Sequence, residues 1–229
     1  MSSILAIADP PIDYPEDNGE PLADNTVQFR WITMIQGELD SLFAADPLVL
    51  VVGDLLWYPV KGDNSLSQAP DVMVVFGRPK HDRLSYKQWE EEDIPPAVVF
   101  EILSHSNRPG RMELKFANYE QYGVEEYYLY DPQRNELHGY LRHHDRLVEI
   151  PQMHGWVSPR LKIRFDHGGE ELRLFRPDGQ PFATYLEVKQ QTVQARQIAE
   201  EERLRADQQQ ALVKALADKL RALGVDPGV

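Results

Sequence analysis

The chain has 229 residues, of which 42% are apolar and none is cysteine, and its formal net charge is −13. The missing cysteines exclude thiolate catalysis, zinc–thiolate and iron–sulfur sites and disulfides, and the acidic charge excludes a protein that holds DNA by bulk positive charge. Residues 187–229 carry seven basic and seven acidic residues, so the whole excess of acid lies in residues 1–186. The length favours one domain with an appendage.

The first half of the chain predicts an arm, a helix and buried strands. Residues 1–25 are acidic and rich in proline, which is typical of an extended or mobile arm. Asn25 is a good helix N-cap, and the apolar residues after it recur at helical spacing over 26–44. Because the next apolar runs are continuous rather than alternating, we expect helices on both faces of the sheet. These runs predict strands within 48–60, 71–76 and 97–104.

The second half predicts a helix, a further strand and a β-rich end. Ser106 or Asn107 can cap a helix over 108–122 that packs on one face of the sheet. A strand over 125–130 follows, and residues 137–175 alternate between strands and turns. This order of elements predicts an α/β sandwich around a mixed sheet, in a domain of residues 26–185.

Residues 186–229 differ in composition and predict a C-terminal helix. Positions three and four residues apart form a ladder along it, although two of these positions are polar. Either a long helix surrounded by solvent or a short coiled coil that binds a helical protein partner fits this pattern. The coiled coil is favoured by an apolar patch that needs cover, formed by Val213, Leu216, Leu220 and Leu223.

No segment predicts membrane insertion or export. The N-terminal residues lack the basic segment and the long apolar run of a signal peptide. No stretch approaches the roughly 18 uninterrupted apolar residues that a membrane helix needs. We therefore expect a soluble cytoplasmic protein without a membrane partner.

Two acids lie at the predicted buried strands. Glu101 interrupts the apolar run 98–103, where a carboxylate needs a cation, a metal or a proton; a salt bridge to Arg or Lys would also satisfy it. Asp71 follows Pro70 and opens the run 71–76, where it could be only a turn residue. Acids on two core strands of one sheet can instead converge on one Mg²⁺, with water in its remaining positions. Such a cation activates water and offsets the charge that builds up on a phosphodiester.

Three other residues could extend this site. Lys115 shares the apolar face of its helix with Tyr119, so either its amine reaches water at the surface or its ammonium lies beside the metal and assists the nucleophilic water. Glu38 falls on the apolar side of the first helix, where it either joins the site or flanks the apolar stripe. Asp54 is a weaker candidate, because it could equally be a bend residue.

Several short segments together carry a resemblance. They are Pro70-Asp71, Glu101 to Ser104, Lys115, Tyr119, Gly123 to Tyr127 and Asp131-Pro132. Over roughly residues 25–175 they resemble the Uma-type endonuclease family of the PD-(D/E)XK restriction-endonuclease-like superfamily. The resemblance implies an α/β/α core and Mg²⁺-dependent hydrolysis of phosphodiester bonds. It further implies that Asp71 and Glu101 are metal ligands and that Lys115 is the catalytic base or stabiliser.

The chain departs from the superfamily pattern at two positions. Leu103 stands where the superfamily expects a lysine two residues after the acid. Family members commonly carry that lysine on the following helix, which suits Lys115. His105 stands where the family usually has proline, and it is either a neutral loop residue or a ligand or base near the site.

We therefore predict an endonuclease that uses Mg²⁺, with Mn²⁺ as a substitute, and contacts DNA locally and transiently. Asp71 and Glu101 bind the metal, Lys115 assists the water and Glu38 contributes. Since cutting both DNA strands needs two sites, we expect a homodimer. A local basic strip could come from two groups of residues, Arg108, Arg111 and Lys115 beside the site and Arg78, Lys80 and Arg83 after the Asp71 strand.

The alternative function is a non-catalytic interaction protein that keeps the same fold. It would serve as an interaction or scaffold protein that assembles through its C-terminal helix. The net charge of −13 favours this alternative, because it opposes the approach of DNA.

Overall fold

The computed structural model describes residues 12–17, 19, 21–105 and 109–222. The predicted cap at Ser106 or Asn107, Arg108 and Leu223 lie outside the described residues.

The chain divides into two units, residues 1–182 and 183–229. The first unit contains α1 (Thr26–Leu42), β1 (Val49–Val52), β2 (Trp57–Tyr58), β3 (Val72–Phe76), β4 (Tyr86–Lys87), β5 (Val98–Ile102), α2 (Pro109–Gln121), β6 (Glu126–Asp131), β7 (Glu136–His143), β8 (Arg146–Glu149), β9 (Arg164–Asp166) and β10 (Arg173–Phe175).

Helix α1 forms where the sequence predicts it. The Asn25 side chain accepts hydrogen bonds from the backbone N–H groups of Val27 at 3.0 Å and Gln28 at 2.9 Å, which satisfies two donors that the first helical turn leaves open. One face of the helix buries Trp31, Ile35 and Leu39. This buried face fixes the side of α1 that packs on the sheet.

The central sheet is mixed, as predicted. Its six strands lie in the order β1-β3-β5-β6-β7-β8. Strands β5 and β6 are parallel, and every other neighbouring pair is antiparallel. Helix α2 connects the two parallel strands, because a parallel pair needs a crossover that returns the chain to the same end of the sheet.

The sheet is covered on both faces, which explains the continuous apolar runs. On the first face, residues of α1 such as Ile35 pack with Val72 and Phe100 of the strands. On the second face, Tyr119 of α2 packs with Met73 and Val99. The result is an α/β/α sandwich, in agreement with the predicted fold class.

The described part of the N-terminal arm packs against the body. The Tyr58 hydroxyl donates to the carbonyl of Pro15 at 2.6 Å, and the backbone N–H of Gly62 donates to the Tyr14 hydroxyl at 2.6 Å. The Tyr14 ring meets that of Trp89 at a centroid distance of 5.0 Å. These contacts tie residues 14–15 to the body of the first unit.

The second unit contains one helix, α3 (Tyr185–Ala222). A capping box begins it: Glu187 Oε2 accepts from the backbone N–H of Thr184 at 2.7 Å, and Thr184 Oγ1 accepts from the N–H of Glu187 at 3.4 Å. Of the predicted apolar patch, Val213, Leu216 and Leu220 are exposed. Within the described part of the chain, no helix combines the length and the apolar character that crossing a membrane requires.

Candidate active site

The strand register brings Asp71 and Glu101 to the same face and the same end of the sheet. Val72 lies opposite Phe100 and Met73 opposite Val99, so β3 and β5 run antiparallel through this region. Side chains alternate between faces along a strand. Because Met73 and Val99 lie on the second face, Asp71 and Glu101 also point to that face, beneath α2.

Glu101 is almost completely enclosed, with 2% of its surface exposed. Lys115 Nζ donates to its two carboxylate oxygens, at 2.7 Å to Oε1 and 2.8 Å to Oε2. The Tyr119 hydroxyl donates to Oε1 as well. The salt bridge that the sequence left open for Glu101 therefore exists, and its partner is the lysine of the predicted site.

Lys115 does not direct its amine into bulk water. Its side chain is 12% exposed, and Nζ also donates to the backbone carbonyl of Ala69 at 2.9 Å. This carbonyl lies two residues before Asp71 in the chain. Helix α2 thus holds the ammonium between β5 and the segment that leads into β3.

Asp71 is half-buried beside this ion pair, and its carboxylate accepts a hydrogen bond from the backbone N–H of Ile102 at 2.6 Å. Burial raises the pKa of Asp71 to about 8, and the negative charges of Glu101 and Asp54 act in the same direction. The charge of Lys115 and the Ile102 hydrogen bond oppose this rise only in part. The Asp71 carboxyl is therefore mostly protonated at neutral pH.

The donor set suits a hard divalent cation. Asp71 and Glu101 supply carboxylate oxygens from two adjacent strands, and the Glu101 carboxylate already holds one cation, the Lys115 ammonium. Within residues 12–17, 19, 21–105 and 109–222, no group of three or more His, Asp or Glu side chains could hold a metal. A cation at this place would accordingly have two protein ligands and keep several waters, as Mg²⁺ does.

The structure does not bring Glu38 to this site. Helix α1 packs on the first face of the sheet, opposite the face that carries Glu101. The Glu38 carboxylate accepts instead from Arg176, at 2.6 Å from Nε and 2.5 Å from a terminal nitrogen. The residue of α1 that does reach the end of β5 is Gln28, whose side-chain amide donates to the Ile102 carbonyl at 2.8 Å. Glu38 lies ten positions after Gln28, which is about 15 Å farther along the helix axis. The helical pattern predicted that Glu38 is buried but not which partner it meets.

The bases expected to form a strip after β3 are paired with acids. Arg83 Nε lies 2.6 Å from Glu91 Oε1, and Arg78 Nε lies 2.7 Å from Oε2 of the same residue. Lys80 pairs with Asp40 at 3.1 Å. Arg111 and His105 are both exposed. These ion pairs neutralise much of the expected strip.

Two further residues lie near the carboxylates, Tyr119 and the weaker candidate Asp54. Tyr119, which the sequence places on the same helix face as Lys115, is fully buried and is the second donor to Glu101, a contact that the sequence did not predict. Burial, together with the Glu101 charge, raises the pKa of Tyr119 well above its usual value, so it remains a donor. Asp54 lies beside Asp71, with a backbone φ of 51° and its N–H bonded to the Pro70 carbonyl at 3.1 Å.

A second buried carboxylate lies on the opposite face of the sheet. Glu126 accepts from the hydroxyls of Tyr128 at 2.8 Å and Ser158 at 2.5 Å, and from the backbone N–H of Arg160 at 2.6 Å. Burial raises its pKa, and these hydrogen bonds oppose the rise. These donors are neutral groups that tie the segment after β8 to β6, so the arrangement of Glu126 differs from that of Glu101.

Comparison with known proteins places this chain in a family. One solved structure similar to this chain is the crystal structure of "a putative nuclease belonging to DUF820" from Anabaena variabilis, with 15% identity over 57% of this chain and 70% of that chain and a TM-score of 0.41. No curated protein matches the sequence. The model of the Uma2 family, described as "Putative restriction endonuclease", matches residues 8–165, roughly two thirds of the chain. The chain therefore belongs to the Uma2 family.

Proposed function

We propose that this protein is a divalent-metal-dependent endonuclease that hydrolyses phosphodiester bonds of DNA. The observation that carries the proposal is the buried Glu101–Lys115 ion pair beside Asp71, at one end of the central sheet. An isolated structural salt bridge needs no third ionisable group, whereas here a carboxyl with a strongly raised pKa lies next to the pair. Perturbed groups gathered in this way are characteristic of functional sites. Membership of the Uma2 family supports a nuclease reaction.

In this proposal, Asp71 and Glu101 hold Mg²⁺ or Mn²⁺ through their carboxylate oxygens. When bound, the cation would acidify a water molecule and offset the negative charge that develops on the phosphate. Asp71 gives up its proton to become a ligand, because a protonated carboxyl binds a cation poorly. Glu101 supplies the second carboxylate while it also pairs with Lys115.

In this proposal, Lys115 acts as an electrostatic stabiliser. Its ammonium has three protons, which the described structure directs to Glu101 and to the Ala69 carbonyl. A phosphate that enters the site offers a second anionic acceptor, toward which one of these protons can turn. Hydrolysis forms a bond from phosphorus to the water oxygen and breaks the bond to one sugar oxygen. Lys115 stabilises the charge on the phosphate as this exchange proceeds.

Plasmid nicking with purified variants tests the proposal. Asp71→Ala and Glu101→Gln should lose cleavage at all Mg²⁺ concentrations, and Lys115→Ala should lose rate with little change in metal affinity. Glu91→Gln is the matched control, because Glu91 is another buried carboxylate paired with bases but lies in a different cluster. Cleavage that survives in all three site variants, or that is lost equally in Glu91→Gln, would refute the assignment.

A non-catalytic interaction protein is the alternative, and one observation favours it. Arg78, Lys80 and Arg83 are paired with acids rather than available for DNA phosphates. Calorimetric titration with Mn²⁺ separates the two functions. Binding that Glu101→Gln abolishes supports the nuclease, and the absence of binding at millimolar Mn²⁺ supports the interaction protein.

A further inference from the structure

The Tyr119 hydroxyl is held rigidly at the carboxylate of Glu101. Tyr119 is fully buried, and its ring stacks with that of Trp57 at a centroid distance of 6.2 Å and an interplanar angle of 3°. On another side the ring of Tyr127 lies at 5.1 Å. A tyrosine has two side-chain torsions, and close packing around a buried ring restricts both of them. The hydroxyl therefore stays where the ring packing places it.

The two oxygens of Glu101 have different surroundings. Oε1 accepts from both Tyr119 and Lys115, whereas Oε2 accepts from Lys115 at 2.8 Å. The lysine reaches the carboxylate through four rotatable side-chain torsions, so its ammonium can turn toward another acceptor. If Lys115 turns toward an entering phosphate, Oε1 still accepts from the Tyr119 hydroxyl, and Oε2 can bind a divalent cation instead of the ammonium.

We propose that Tyr119 is a positioning residue that holds Glu101 Oε1 and so presents Oε2 to the divalent cation. This inference rests on the proposed nuclease function and deepens it. Without the hydroxyl, the Glu101 carboxylate depends on Lys115 alone, and it can rotate when the ammonium moves. Outer-shell hydrogen bonds of this kind typically contribute a factor of about 10–100 to metal affinity or activity.

The test is Tyr119→Phe in the full chain, because phenylalanine keeps the ring contacts and removes only the hydroxyl. Tyr128→Phe is the matched control: Tyr128 is also buried and also donates to a buried carboxylate, Glu126, but on the opposite face of the sheet. Calorimetry with Mn²⁺ alone gives the affinity, plasmid nicking gives the rate, and urea unfolding gives the stability of each variant.

We expect Tyr119→Phe to bind Mn²⁺ about 10–100-fold more weakly, and raising the Mn²⁺ concentration to restore most of its cleavage rate. Tyr128→Phe should lose stability but keep the wild-type Mn²⁺ affinity. If Tyr119→Phe binds Mn²⁺ as the wild type does, or if Tyr128→Phe loses as much affinity, Tyr119 has only a structural function. A wild-type protein that neither binds Mn²⁺ nor cleaves DNA overturns the proposed function and this inference together.

Discussion

Replacing Asp71 by Asn tests the electrostatics of the site through protein stability, without any assumption about activity. The raised pKa of Asp71, about 8, means that its carboxyl keeps a proton in the folded protein at neutral pH. In the unfolded chain an aspartate titrates near 3.9. Asparagine has nearly the same shape, stays neutral at every pH and keeps an oxygen that can accept from the Ile102 N–H.

The sign and size of the effect follow from proton linkage. Between about pH 4 and pH 8 the folded protein binds a proton at Asp71 that the unfolded chain has released, so the free energy of unfolding falls as the pH rises. The slope is at most about 1.4 kcal/mol per pH unit. From pH 5 to pH 7.5 this gives an upper bound of roughly 3 kcal/mol. The measured value should be smaller, because Asp71 is half-buried and water screens part of its charge.

Urea unfolding of the wild type and Asp71→Asn at several pH values between 5 and 7.5 measures this term. The wild type should lose stability relative to the variant as the pH rises, by about 1–3 kcal/mol over this range. Glu126 also has a raised pKa, but it is present in both proteins and cancels in the difference. A stability difference that stays constant over this pH range would show that Asp71 is ionised in the folded protein and would refute the reasoning.

Two further predictions concern packing and assembly. A Cβ at Gly139 would lie 2.9 Å from Ile150 Cδ1, so Gly139→Ala should destabilise the protein by about 1–3 kcal/mol in urea unfolding. A Cβ at Gly37 would have no atom within 4 Å, so Gly37→Ala should stabilise α1 by up to about 1 kcal/mol. The reverse order would contradict the packing described. We also expect a homodimer whose interface lies mostly in residues 1–182, so a chain ending at Phe182 should keep the oligomeric state of the full chain in light scattering. A monomeric truncated chain beside a dimeric full chain would instead assign dimerisation to α3.

The strands and the two central acids could be predicted from the sequence because burial on both faces leaves a strong local signal. Runs such as Val72–Phe76 are apolar at every position, and Glu101 is conspicuous as the single charged residue within its run. In the strand pair formed by β2 and β4, Trp57 pairs with Tyr86 and Tyr58 with Lys87. The predicted run 48–60 includes β2, whereas β4 carries no such signal, because two residues are too few for a period to show.

The partners of charged residues could not be predicted in the same way. A helical period shows that Glu38 faces inward, but Arg176, its partner, lies 138 positions away in the chain. Arg78 and Arg83 raise the local count of bases, yet Glu91 neutralises both of them once the chain has folded. Sequence composition gives the sign of each charge, whereas the pairing that decides its effect depends on tertiary contacts.

The same distinction bears on whether an acidic protein can approach DNA. At physiological salt, charges more than about 8 Å apart are largely screened, so the net charge of −13 matters less than the balance at the site itself. There, Asp71 is mostly neutral at pH 7, and Glu101 and Lys115 compensate each other. Asp54, whose negative charge acts on Asp71, leaves the site with a net negative charge before a cation enters. A divalent cation that replaces the Asp71 proton would cancel this charge, so the phosphate would then meet a site that no longer repels it on an acidic protein.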